Sequence, residues 1–197
     1  MSIDRVTVYA ASSQALHEDY ISAASLLGEI LAKAGHEVIY GGGGLGLMGA
    51  MADGALRAGG QVHGVIPQFL AEIEHGHPDL TSLEIVGDMR TRKEKMLERS
   101  DAVIALPGGC GTFEELFEVM TLKRLGQYLG PIILINTRGY YDELLSFLQH
   151  SVHEHFMSAV HLNMWQSVSD PAQIPQALGD APAWSANALH ESAAVKA

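Results

Sequence analysis

Two kinds of hydrophobic pattern alternate along this chain of 197 residues. Short, continuously apolar runs predict buried strands, and longer segments with apolar residues three or four positions apart predict helices. We predict strands at 3–9, 36–40, 61–66, 83–86, 102–106, 131–135 and 164–168. We predict helices at 20–34, 46–58, 89–100, 113–125 and 140–156. The spacing of the fourth helix places Phe113, Leu116, Phe117 and Met120 on its buried face.

This alternation indicates the fold class. Continuously apolar strands separated by helices are typical of a parallel sheet that helices cover on both faces. Glycines cluster directly after strands, where open α/β sheets place their ligand crevice. We therefore predict a single Rossmann-like α/β domain over residues 1–180. The segment 181–197 is rich in Ala and Ser, which predicts a flexible C-terminal tail.

Composition and charge exclude several classes of protein. A chain that is 47% hydrophobic is too apolar to be disordered. The formal net charge of −11 argues against a nucleic-acid partner, because binding a phosphate backbone requires a basic surface. The single cysteine fits a reducing compartment, and no apolar run approaches the roughly 18 residues that span a bilayer. We expect a soluble cytoplasmic protein with no membrane partner.

The first glycine-rich loop, at 41–49, follows a predicted strand and opens a helix. It satisfies the G-x-G-x-x-G pattern of dinucleotide-binding folds from both Gly41 and Gly44. Such a site also needs an acidic residue at the end of the next strand, which here ends in Ile66-Pro67. A nicotinamide cofactor is therefore disfavoured, and a tight strand–helix turn explains the glycines equally well. We predict no cofactor.

The second loop, Pro107-Gly108-Gly109-Cys110-Gly111-Thr112, also lies between a buried strand and a helix. Three glycines allow successive backbone N–H groups to turn inward, and the helix N-terminus adds a positive dipole. A phosphate fits such a loop without a lysine. Because no G-K-[ST] follows, the loop is not a Walker A motif. The residues thus suggest an anion site.

Glu115 has two interpretations. The sequence Thr112-Phe113-Glu114-Glu115 has the pattern of a capping box, in which Glu115 bonds back to the Thr112 N–H. That role stabilises a helix by about 1 kcal/mol and needs no chemistry. The alternative is a carboxylate held beside a bound phosphate sugar. The local sequence leaves both open.

The predicted helix at 89–100 concentrates positive charge. It holds Arg90, Arg92, Lys93, Lys95 and Arg99, five of the chain's 12 basic residues. Most of these belong on a solvated face, but Arg92 lies on the apolar stripe that its spacing from Met89 and Met96 defines. A buried arginine needs an anionic partner. We favour a ligand, which Lys93 also reaches, over an internal carboxylate.

Two other groups of residues carry weaker signals. Cys110 at a helix N-terminus has the setting of a nucleophile, but the sequence shows no base beside it. His150-x-x-His153-x-His155 suggests a metal ion, yet His155 leaves the helical face of the other two and no further ligand is evident. A solvated helix end is the favoured interpretation, and we predict no metal.

Several separated motifs together resemble one family. The sequence is similar to the LONELY GUY family of cytokinin riboside 5′-monophosphate phosphoribohydrolases, whose members often carry the label "lysine decarboxylase". The resemblance extends from about residue 3 to residue 178. The matching blocks are Ser12-Ser13, Tyr40-Gly41-Gly42-Gly43, Gly46-Leu47-Met48-Gly49, Ile66-Pro67, Met89-x-x-Arg92-Lys93, Pro107-Gly108-Gly109-x-Gly111-Thr112-x-Glu114-Glu115 and Gly139-Tyr140-Tyr141.

The resemblance implies an enzyme that hydrolyses the N-glycosidic bond of N6-substituted AMP, without a cofactor. It implies that Arg92 and Glu115 are the catalytic pair. It also implies a homodimer with its active site near the subunit interface. The substrate-binding residues by motif position would be Ser13, Gly42, Gly43, Glu74, Met89, Lys93, Gly108, Gly109, Cys110, Gly111, Thr112, Glu114 and Thr121.

The chain departs from the family pattern at two blocks. Ala10-Ala11-Ser12-Ser13 replaces the usual Cys-Gly-Ser-Ser, and Thr121-Leu122-Lys123-Arg124-Leu125-Gly126 replaces Thr-Trp-x-Gln-Leu-Gly. The second difference concerns the base and interface side of the site. An alternative function is a non-catalytic carrier of a nucleotide or phosphorylated cofactor on the same fold, because the glycine loop alone explains binding.

Overall fold

The seven predicted strands form one parallel sheet. The computed structural model describes residues 2–71, 73, 76–98 and 100–188. The sheet order is β4-β3-β2-β1-β5-β6-β7, and each neighbouring pair is parallel. The Rossmann-like α/β fold is thus confirmed. The strands are β1 (Arg5–Tyr9), β2 (Glu37–Tyr40), β3 (Val62–Pro67), β4 (Ser82–Val86), β5 (Ala102–Ala105), β6 (Ile132–Ile135) and β7 (Gln166–Val168).

Helices cover both faces of the sheet. The helices are α1 (Glu18–Lys33), α2 (Gly46–Arg57), α3 (Gln68–Ala71), α4 (Met89–Glu98), α5 (Cys110–Arg124), α6 (Asp142–His153) and α7 (Ile174–Gly179). Helices α1, α2 and α7 pack on one face, with Val6 and Val8 of β1. Helices α4, α5 and α6 pack on the other, with Tyr9 of the same strand. Burial on both faces explains why the central strands are apolar throughout.

The order in which the strands are added to the sheet reverses at β1. From β1 the chain proceeds outward through β2 and β3 to β4, and then returns to place β5 on the other side of β1. The loops at the carboxyl ends of β1 and β5 consequently diverge and leave a crevice. Open α/β sheets bind their ligands at this kind of switch point.

Three helices begin at other residues than the sequence predicts. Helix α1 begins at Glu18 rather than 20. Helix α5 begins at Cys110 rather than 113, because the glycines of the second loop enter its first turn. Helix α6 spans Asp142–His153 instead of 140–156, since a 3₁₀ turn at Thr137–Gly139 precedes it. No helix among the described residues combines the length and apolarity that a membrane span requires.

The beginning of the predicted tail packs against the domain. The Trp184 indole N–H donates a hydrogen bond of 2.6 Å to the Lys123 carbonyl on α5, and Ala188 is buried. Within 181–188, these two residues contact the domain, and the predicted flexibility of the tail stays a prediction. The rest of that prediction, at 189–197, lies outside the described residues.

Candidate active site

A cavity of about 270 Å³ opens at the crevice between β1 and β5. Its walls come from the loops after β1 and β2, from α2 and α4, and from the start of α5. Seven predicted site residues line it: Ser13, Met89, Arg92, Gly109, Gly111, Thr112 and Glu115. Tyr9, Ser12 and Met48 also line it, and our sequence analysis assigned them no role.

The second glycine loop presents backbone N–H groups at one end of this cavity. Helix α5 has Gly109 as its N-cap, and no side chain caps it. The first intrahelical bond runs from the Phe113 N–H to the Gly109 carbonyl at 3.0 Å, so the preceding N–H groups have no partner within the helix. A Cβ atom on Gly109 or Gly111 would meet nothing within 4 Å. The arrangement is therefore open to an anion.

Two tyrosines hold the opposite side of this loop. The Tyr140 hydroxyl donates a 2.5 Å hydrogen bond to the Gly108 carbonyl, and the Tyr141 hydroxyl donates one of 2.7 Å to the Leu106 carbonyl. A Cβ on Gly108 would lie 2.0 Å from Thr112 Oγ1, so a larger residue does not fit there. These contacts fix two carbonyls at the start of the loop, on the side away from its open N–H groups.

The first glycine loop provides no comparable site. The N–H groups of Leu47 and Met48, in the first turn of α2, already donate to the Ala11 carbonyl at 2.9 and 3.2 Å. Gly42 has a φ of +79°, which favours glycine for conformational reasons alone. Gly42 and Gly43 do not line the cavity. This geometry is that of the tight strand–helix turn.

Arg92 extends from α4 to the carboxyl ends of two strands. Its Nε donates to the Val65 carbonyl at 3.0 Å and its Nη2 donates to the Gly41 carbonyl at 2.7 Å. The guanidinium is buried, and it forms no ion pair among the described residues. Arg92 thus has no carboxylate at ion-pair distance in the described residues, but its charge acts electrostatically on the Glu115 carboxyl. Arg92 therefore brings a positive charge to the cavity wall that Glu115 shares.

Glu115 faces the same cavity from the second turn of α5. Its side chain is buried, and burial raises the pKa of this carboxyl to about 7, although Arg92 opposes the shift. The capping-box interpretation is wrong, because Gly109 is the N-cap and Thr112 lies within the helix. A carboxyl group with a pKa near neutrality is common at catalytic sites.

Lys93 and Thr121 lie away from this cavity. The Lys93 ammonium pairs with Glu114 and, at 3.2 Å, with Glu118, and the hydrogen bond to Glu114 raises its pKa. It does not join Arg92 at the cavity wall as the sequence suggested. The Thr121 hydroxyl donates to the Phe117 carbonyl at 2.7 Å and lines a separate apolar cavity.

Three other predicted site residues are not among those that line the main cavity. Gly108 lines a smaller neighbouring cavity that shares Ser13 and Gly109 with the main one. Cys110 is exposed beside the glycine loop but does not line the main cavity. Glu74 lies outside the described residues.

Comparisons with known proteins agree with the predicted family. A family model described as "Possible lysine decarboxylase" matches residues 48–178. A cytokinin riboside 5′-monophosphate phosphoribohydrolase of Rhodococcoides fascians is 44% identical over 154 residues, which cover 78% of each chain. One from Arabidopsis thaliana is 39% identical over 176 residues, covering 89% of this chain and 83% of that one.

Solved structures with the same fold include molybdenum cofactor carrier and binding proteins. The molybdenum cofactor carrier protein of Chlamydomonas reinhardtii superposes with a TM-score of 0.68, covering 91% of this chain and 100% of that one. A molybdenum cofactor binding protein of Rippkaea orientalis gives 0.67, covering 89% and 95%. Their sequence identities are 21% and 23%, so these similarities concern the fold alone.

Proposed function

This chain belongs to the family of cytokinin riboside 5′-monophosphate phosphoribohydrolases, and we propose that it hydrolyses the N-glycosidic bond of an N6-substituted adenosine 5′-monophosphate. The products are the free base and ribose 5-phosphate. The observation that carries the proposal is the position of Arg92 and Glu115 on one cavity with the open N-terminus of α5. A phosphate at that helix end places the attached ribose beside the Glu115 carboxyl.

The proposed reaction uses the charges of this cavity. Cleavage of a glycosidic bond passes through a transition state that resembles an oxocarbenium ion. The ionised Glu115 carboxylate stabilises the developing positive charge and orients the attacking water. With a pKa of about 7, Glu115 is present in both ionised and protonated forms at neutral pH, as proton transfer requires. Arg92 either favours the ionised form of Glu115 or assists the departing base.

The competing function is a carrier that binds a phosphorylated ligand without converting it. The glycine loop alone accounts for binding, and the solved structures of similar fold include a molybdenum cofactor carrier protein and a molybdenum cofactor binding protein. A carrier does no chemistry that requires a buried carboxyl and a buried arginine beside the ligand. Burying ionisable groups also destabilises the fold, so a binding protein gains nothing from them. The presence of both groups favours the enzyme.

Product analysis separates the two functions. The protein is incubated with isopentenyladenosine monophosphate, with AMP, and with isopentenyladenosine as the nucleoside lacking phosphate, and the free base is quantified by chromatography. We expect base release from a monophosphate and much less from the nucleoside, which cannot occupy the glycine loop. Glu143→Gln, an exposed change on α6, serves as a control with normal activity. Tight binding of both monophosphates without base release would instead identify a carrier.

The family also supports proposals about assembly and location. We propose a homodimer, which sedimentation analysis tests by comparing the measured mass with the 21.1 kDa of one chain. We propose a cytoplasmic location, with a nucleoside monophosphate as the small-molecule partner. The preferred base follows from the relative kcat/KM values of the two monophosphates.

A further inference from the structure

Three potential metal ligands meet at the C-terminal end of α6. His150, His153 and Glu154 occupy positions i, i+3 and i+4, which share one face of a helix. One ligand atom from each lies within 4.8 Å of the others. The sequence pattern drew attention to His155 as the third ligand, whereas the structure brings the Glu154 carboxylate to the two imidazoles instead.

The backbone at this cluster is fixed by its own hydrogen bonds. The N–H of His155 donates to the Val152 carbonyl at 3.0 Å, and the N–H of Phe156 donates to the Ser151 carbonyl at 2.9 Å. This pair of bonds is a Schellman motif, with His155 in the left-handed conformation at a φ of +64°. The motif sets the position of Glu154, the C-cap residue, relative to the last helical turn.

One pair of ligand atoms already lies near the spacing that a tetrahedral metal requires. His153 Nδ1 and Glu154 Oε1 are 3.0 Å apart, and the His150 and His153 rings are nearly parallel, with 12° between their planes. Zinc bonds of about 2.0–2.1 Å place tetrahedral ligand atoms about 3.3 Å apart. The remaining separations are below 4.8 Å, and all three side chains are exposed and free to change rotamer.

The electrostatic setting also favours a cation. The C-terminus of a helix carries a partial negative charge, and α6 ends at this cluster. The formal net charge of −11 raises the local concentration of cations around the whole molecule. Two imidazoles and one carboxylate suit zinc among the divalent metals, with water as a fourth ligand.

We propose that His150, His153 and Glu154 form a surface site for one Zn²⁺ ion. The site is separate from the candidate active site, and it does not depend on the proposed hydrolase function. The bound ion links the last turn of α6 to its C-cap residue. Its fourth coordination position is open to solvent or to a ligand from another molecule.

Zinc titration of the full chain tests this proposal. Isothermal calorimetry with Zn²⁺ is performed on the wild type and on His150→Ala, His153→Ala and Glu154→Gln. Removal of a residue that merely supports a metal ligand weakens binding about 10–100-fold. We therefore expect each of the three variants to bind zinc at least about tenfold more weakly, with circular dichroism showing an unchanged fold.

His155→Asn provides the matched control. Asparagine tolerates the left-handed conformation that the turn requires, so the substitution removes the neighbouring imidazole and retains the backbone. We expect this variant to bind zinc as the wild type does. Unchanged zinc affinity in His150→Ala and His153→Ala, or an equal loss in His155→Asn, would overturn the proposed site.

Discussion

Replacing Glu115 by glutamine should stabilise the protein at alkaline pH while removing its proposed catalytic group. Glutamine has nearly the shape of the protonated carboxyl but cannot ionise. At low pH the folded chain already holds Glu115 protonated, so the substitution changes little. Above neutral pH the wild type must keep a carboxylate in a buried position, and the Glu115→Gln variant avoids that penalty.

The size of this effect follows from the pKa of Glu115. Burial raises it from 4.5 to about 7, and each pKa unit corresponds to about 1.4 kcal/mol. Between these two values the unfolded chain releases its proton before the folded chain does, so wild-type stability falls as the pH rises. The difference in the free energy of unfolding between Glu115→Gln and the wild type should therefore grow by about 2–3 kcal/mol, in favour of the variant, as the pH rises from about 5 to about 8.5.

Urea unfolding of both proteins across this range measures the difference. Effects of other titrating groups cancel, since both chains contain them. Glu143→Gln removes an exposed carboxyl from α6 and should follow the wild type at every pH. If the difference in the free energy of unfolding between the two proteins stays constant with pH, the reasoning is refuted, because the pKa of Glu115 is then not raised in the folded chain.

Four further substitutions test the cavity and the glycine loop beside it. Arg92→Met leaves two buried carbonyls without a donor, so urea unfolding should show a loss of about 1–3 kcal/mol, and an NMR titration should show a higher pKa for Glu115. At Gly109 there is room for a methyl group, so Gly109→Ala should change the free energy of unfolding by less than about 0.5 kcal/mol while it raises the KM for the monophosphate. At Gly108 a methyl group overlaps Thr112, so Gly108→Ala should lower the free energy of unfolding by about 1–3 kcal/mol. Tyr140→Phe should lower the free energy of unfolding by about 1 kcal/mol, because it removes the hydrogen bond to the Gly108 carbonyl. It should raise KM more than it lowers kcat, because the loop that Tyr140 holds is the proposed phosphate site.

The fold was largely predictable because its central strands are buried on both faces. Runs such as 102–106 and 131–135 have no polar position, and only a covered parallel sheet explains several of them in succession. The start of α5 was not predictable from helix propensity. Glycine is a poor helix former, yet Gly111 lies in the first turn, where the open N–H groups would bind a ligand.

The candidate site was predictable in its motifs but less so in its contacts. The apolar spacing of α5 correctly placed Leu116 and Met120 inside, but Phe117 is 40% exposed. The buried face also carries the polar residues Thr112, Glu115 and Lys123. Functional sites commonly break local patterns in this way. The pairing of Lys93 with Glu114 joins two different helices, and no local signal reports such a contact.

The central claim is that Glu115 performs chemistry on a nucleotide held at the start of α5. The most direct test measures binding and turnover of isopentenyladenosine monophosphate together, in the wild type and in Glu115→Gln. We predict that the variant binds the nucleotide and releases no free base, while the wild type releases base and ribose 5-phosphate. Equal rates of base release by the two proteins would contradict the claim.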